Sequence, residues 1–108
     1  MSNPIHDQIK KTIEDNKVVI FMKGTPEAPQ CGFSSQAVRC LKMAGVNPVG
    51  VNVLADPQIR HEIKQFSNWP TIPQVFINGE FIGGCDIVTE MYDNGELKEK
   101  LKTAGLVS

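Results

Sequence analysis

The chain has 108 residues, 41% of them hydrophobic, enough for one core and the basis for reading one domain over residues 1–108. Eleven basic residues face twelve acidic ones, a balance that argues against nucleic acid or an anionic membrane surface as a partner. The longest apolar run, Val18 to Met22, falls far short of the roughly 20 residues that span a bilayer, and no charged-then-apolar signal segment precedes it.

Asn3 is suited to cap a first helix, with Pro4 in its first turn and Ile5, Ile9 and Ile13 at four-residue spacing; Asn16 breaks the pattern. The β-branched and aromatic run Val18-Val19-Ile20-Phe21-Met22 predicts a central strand buried on both faces. A loop with Gly24, Pro26 and Pro29 leads to Cys31, after which Phe33, Ala37, Leu41 and Ala44 mark one face of a helix ending at Gly45. The alternation of Val49, Val51 and Val53 predicts a second strand and completes a right-handed βαβ unit. Asp56 and Pro57 start a further helix with Ile59, Ile63 and Phe66 as its buried stripe. Val75-Phe76-Ile77, Asn78-Gly79 and Phe81-Ile82 spell a two-residue hairpin, because both central turn positions favour positive φ. Past Gly83-Gly84-Cys85, Asp86 is expected to cap a helix carrying Val88, Met91 and Tyr92. Asn94-Gly95 interrupts it, and Leu97 and Leu101 mark a short last helix. Four strands with helices on both faces is the economical packing of this order.

Three cysteines is an odd count, and a chain with a real core does not need disulfides to fold. This favours a cytosolic or matrix-like compartment where thiols stay reduced, the cytoplasm if the source is bacterial and the mitochondrial matrix if a transit peptide was trimmed. Cys31 sits between a Pro-rich loop and a helix start, where unpaired backbone N–H groups favour thiolate over thiol, and Lys23 at the end of the central strand is placed to add positive charge. The competing reading, a small buried residue with no chemistry, is weakened by that position. Gly32-Phe33-Ser34 puts a serine where a Cys-x-x-Cys motif carries its resolving thiol. Cys40 is too far along the same helix to replace it: nine residues at ~1.5 Å each is about 13.5 Å, whereas bridged Cα atoms lie within ~7 Å. Cys40 reads as packing, and Cys85 has no clear role from pattern alone. One thiol must act alone or with an outside thiol. Iron-sulfur clusters usually take four thiolates, so a cluster would need cysteines from a second chain or a small thiol. His6 and His61, each solitary among polar helix residues, read as solvent-exposed.

In Trp69-Pro70-Thr71-Ile72-Pro73, Pro73 forces Ile72 to be extended ahead of a strand. With a cis bond there, Ile72 would offer its backbone N–H and C=O to an extended thiol peptide. Gly83 and Gly84 would permit close approach of a ligand, and Asp86 with the N–H groups after it would suit a zwitterionic amino-acid end. The plainer reading of that segment is an ordinary turn and cap.

Lys23-Gly24-Thr25-Pro26, Cys31-Gly32-Phe33-Ser34, Trp69-Pro70-Thr71-Ile72-Pro73-Gln74 and Gly83-Gly84-Cys85-Asp86 together resemble the monothiol, CGFS-type glutaredoxins, from about Ile9 to the last helix. The resemblance implies an α/β, thioredoxin-like fold, a four-stranded mixed sheet flanked by helices on both faces, and a cis Pro73. It implies that Cys31 is the cluster ligand and the thiol of mixed disulfides. By the same resemblance Lys23, aided by Arg60 and Lys64, pairs with the glycine carboxylate of glutathione. Ile72 pairs with the tripeptide's cysteine unit, and Cys85 and Asp86 hold its γ-glutamyl end. Implied cofactors are glutathione and a 2Fe-2S cluster bridged by two chains and two glutathiones, a homodimer when loaded. BolA-type proteins and cluster-receiving apoproteins are the implied partners. The alternative activity is reduction of glutathione mixed disulfides by one thiol. Dithiol relatives that are efficient reductases have a shorter connection than the seven residues between Lys23 and Cys31, which favours the carrier.

Overall fold

The computed structural model describes residues 3–107. Its elements run α1 (Pro4–Asp15), β1 (Val18–Met22), α2 (Gly32–Met43), β2 (Val49–Asn52), α3 (Pro57–Ser67), β3 (Gln74–Ile77), β4 (Glu80–Gly83), α4 (Cys85–Asn94) and α5 (Glu96–Thr103). The sheet order is β2-β1-β3-β4, with β1 and β2 parallel and the other two pairs antiparallel. This is the mixed, thioredoxin-like sheet that the resemblance implies.

Every residue of β1 is buried, as its unbroken apolar run requires of a strand covered on both faces. Val18, Ile20 and Met22 face one core with Ala37, Val38 and Leu41 of α2, Val88 of α4, and Leu97 and Leu101 of α5. Val19 and Phe21 face the other with Ile9 and Ile13 of α1, Ile59 and Ile63 of α3, and Phe76. The alternation along one strand thus sorts the helices into two layers.

Local chemistry sets the boundaries. Asn3 Oδ1 accepts from the N–H groups of Ile5 (2.9 Å) and His6 (3.4 Å), and Asp56 Oδ1 from those of Gln58 (3.0 Å) and Ile59 (3.3 Å). Asn78 and Gly79 both have positive φ, 52° and 83°, as the β3–β4 hairpin turn demands.

Four expectations are corrected. The second strand stops at Asn52, and Val53 is fully buried beyond it, held by its N–H to Met22 O at 2.9 Å; Val49 is exposed because β2 is an edge strand. Phe33 is 64% exposed, since the core face of α2 is formed by Ser34, Ala37, Val38, Cys40 and Leu41. Asp86 does not cap α4: the cap position belongs to Gly84, and Asp86 lies in the first turn. His6 is not free in solvent but half-buried, 2.9 Å from a Glu62 carboxylate oxygen and edge-on to Phe66, because α1 packs on α3. His61 is exposed, as expected.

Candidate functional site

The site begins where β1 ends. The N–H of Lys23 donates to Ser34 Oγ at 3.2 Å, which ties the strand end to the first turn of α2. The N–H of Gln30 returns to Lys23 O at 2.9 Å and closes the intervening loop. Cys31 therefore arrives at the N-cap of α2 in extended conformation, φ −150°. Its sulfur forms no capping hydrogen bond, yet the N–H groups of Ser34 and Phe33 are the leading influences that hold its pKa below the ordinary thiol value. Slight burial opposes them, while the Lys23 charge and the Ser34 hydroxyl assist. Ser34, at the position of a resolving thiol, is fully buried and occupied with the Lys23 amide. It could not have been assigned that part from sequence, because its partner lies eleven residues back, just past the end of β1.

Near the start of α2 opens a cavity of about 300 Å³, lined among others by Phe33, Trp69, Ile72, Cys85 and Asp86. The segment of the cavity wall that carries Ile72 is held from behind. The fully buried Gln74 donates from Nε2 to Trp69 O (3.0 Å) and Thr71 O (3.2 Å), closing the turn around the cis Ile72–Pro73 bond. Trp69 also packs on Phe81, with ring centroids 5.7 Å apart. Gln74 was legible only as the last letter of a motif; its buried amide after a proline is the signal that a polar turn needs a partner.

The two glycines of the Gly83-Gly84 pair have a packing role. A Cβ on Gly83, at φ +148°, would come within 2.8 Å of Ile87, and one on Gly84 within 3.2 Å of Pro73 O. They let α4 start tightly against the Pro73 turn. Cys85, the first residue of α4, has its thiol pushed up by burial, against which a 3.9 Å contact with Thr89 Oγ1 acts in the other direction. Cys40, on α2, touches the same Thr89 oxygen at 3.9 Å and is buried, as its reading as packing requires.

The structure thus brings Ile72, Cys85 and Asp86 to one cavity; Cys31 is not in its lining but is near enough for its charge to act on Cys85, and Lys23 is near enough to bias the Cys31 thiol. Lys64 lines a neighbouring concavity with Trp69 and Pro70, and Arg60 is exposed on α3, in neither lining. Among the described residues no three or more His, Cys, Asp or Glu side chains group so as to hold a metal ion. Among the same residues, no helix is long and apolar enough to cross a membrane.

Residues 18–82 match the family model described as Glutaredoxin. The chain is 56% identical over 95 residues to Glutaredoxin 4 of Buchnera aphidicola, which covers 88% of each chain. It is 50% identical over 107 residues to the mitochondrial monothiol glutaredoxin-5 of Saccharomyces cerevisiae, covering 96% of this chain and 71% of that one. A crystal structure of a buckwheat glutaredoxin-glutathione complex is similar with TM-score 0.84 and 25% identity, over 97% of this chain and 94% of that one.

Proposed function

The chain belongs to the monothiol glutaredoxins, and from that premise we propose that it binds glutathione and a 2Fe-2S cluster shared between two subunits, and passes the cluster to apoproteins. The observation that carries this reading is the isolation of Cys31. Its thiol is held toward thiolate, while the position that would hold a resolving thiol is a buried serine hydrogen-bonded to the backbone. A lone thiolate cannot close an internal disulfide with Ser34, and it supplies one of the four sulfurs a cluster usually takes. Two chains and two glutathiones make up the four.

The cavity near the start of α2 supports the glutathione part. It has an apolar wall in Trp69 and Ile72 and an acidic residue in Asp86 at the start of α4, features that suit a peptide with a zwitterionic end. The buckwheat relative's complex supports the same ligand. In this assignment Ile72 pairs through its backbone with the cysteine unit of glutathione, Cys85 and Asp86 take the γ-glutamyl end, and Lys23 takes the glycine carboxylate. Lys64 and Arg60 on α3 add positive charge at longer range. When loaded, the cluster is cargo, and the residues of this chain hold it by one Cys31 sulfur per subunit. BolA-type proteins and recipient apoproteins are the partners of this reading, in a reducing compartment.

The test is the oligomeric state. Size-exclusion chromatography should give a largely monomeric chain without cluster and a dimer with it. A loaded form that elutes as a monomer contradicts the proposal, because among the described residues no further ligands are grouped in one chain.

A further inference from the structure

The loop formed by residues 24–30 is held by the edge strand as well as by itself. Internally, Thr25 and Ala28 exchange backbone hydrogen bonds at 3.1 and 3.3 Å, and Gly24 pairs with Pro29. From outside, Asn52 Oδ1 accepts two N–H groups, those of Gly24 and Leu54, each at 3.0 Å. Two residues earlier on β2, Gly50 leaves the space in which Pro26 sits, since a Cβ there would lie 2.3 Å from Pro26 Cδ. Lys23 is consequently fixed on both sides. Ser34 takes its own N–H, and Asn52 takes the N–H of the next residue.

We propose that Asn52 is a positioning residue for the glutathione site, seconded by Gly50: it sets where Lys23 and the loop stand, and so where the glycine carboxylate of glutathione is received. The inference deepens the function proposed above and rests on its assignment of Lys23. In this role Asn52 acts without contacting glutathione itself. It acts through one amide oxygen that the loop and the turn after β2 share, so loss of that oxygen frees both at once. A carboxylate at the same position keeps an acceptor for both N–H groups.

The experiment compares Asn52→Ala, Asn52→Asp and Lys23→Ala with the wild type, using glutathione titrations of the apoprotein and amide hydrogen exchange of Gly24. Loss of the hydrogen bond to Gly24 should raise the glutathione dissociation constant about fivefold in Asn52→Ala, with Gly24 exchange faster by a similar factor. Asn52→Asp should stay within about twofold of wild type on both readouts, a rescue that a general loss of stability would not give. In a coupled disulfide assay Asn52→Ala should raise KM more than it changes kcat. Gly50→Ala should weaken binding in the same way and Gly50→Ala with Pro26→Gly should restore it, which keeps the test intact if Asn52→Ala folds poorly. Wild-type affinity in Asn52→Ala alongside weakened binding in Lys23→Ala overturns the positioning role alone. Wild-type affinity in Lys23→Ala overturns the assignment of Lys23, and the positioning role with it.

Discussion

Cys31 and Cys85 both stand at the start of a helix, yet their thiols are pushed in opposite directions. At α2 the cysteine is itself the N-cap, so its sulfur lies toward the N–H groups of the second and third helical residues, Phe33 and Ser34, which lower its pKa. At α4 the cap is Gly84, and Cys85 is one position further on, where burial is the leading influence and raises the pKa. Asp86, Cys40 and Cys31 raise it further by their charge. A helix dipole common to both ends does not decide reactivity. One residue of register and the access of water do.

The largest effect expected from that contrast is in substitution of the three cysteines. Cys31→Ser should abolish cluster binding, Cys85→Ser should reduce it by an intermediate amount, and Cys40→Ser should leave it nearly intact. Iron content after anaerobic reconstitution measures all three, and equal loss in Cys31→Ser and Cys40→Ser would erase the distinction drawn between the thiols.

The next effect is in pH. Because its pKa is lowered, Cys31 should reach half-maximal alkylation rate below the ordinary thiol value, and Cys85 above it; peptide mapping of iodoacetamide adducts across pH resolves the two. The same shifts enter stability with opposite sign. The Cys31 thiolate contributes stability above the unfolded thiol pKa that is lost as pH falls through its lowered folded value. Cys85 subtracts stability as pH rises above the unfolded value, because folding disfavours its thiolate. Identical alkylation midpoints would remove the register argument.

Smaller effects are expected at Ser34, which supports one end of the contrast and not the other. Ser34→Ala leaves the Lys23 amide without its acceptor and should cost about 1–3 kcal/mol in denaturant unfolding, with the Cys31 alkylation midpoint moving up. Ser34→Cys restores Cys-x-x-Cys spacing but should raise disulfide-reductase turnover only slightly, since the braced loop still sets where glutathione sits; shortening residues 24–30 should raise it more. A large gain from Ser34→Cys alone would assign the limitation to the missing thiol.

What could be read from sequence was local. The apolar run of β1, the Asn78-Gly79 turn, the Asn3 and Asp56 caps and the place of Cys31 before α2 are each written within a few consecutive residues. Phe33 was misjudged because helical spacing gives a stripe without saying which first-turn residue turns to the core and which to the site. The α4 cap went to Asp86 because side-chain capping rules favour it, whereas the tight start against Pro73 needs glycine at that point. His6 docks on Glu62, and Ser34, Asn52 and Gln74 find backbone partners on other elements or across a turn. Such pairings exist only once the sheet has assembled, and no periodicity records them.

The central claim is that Cys31 works as one of four sulfurs, two of them from glutathione. Anaerobic reconstitution with glutathione, followed by a visible absorption spectrum and counts of iron, sulfide and glutathione, tests it most directly. The account predicts a coloured dimer with two irons, two sulfides and two glutathiones for every two chains. A colourless protein after reconstitution, or a cluster that forms without bound glutathione, would contradict it.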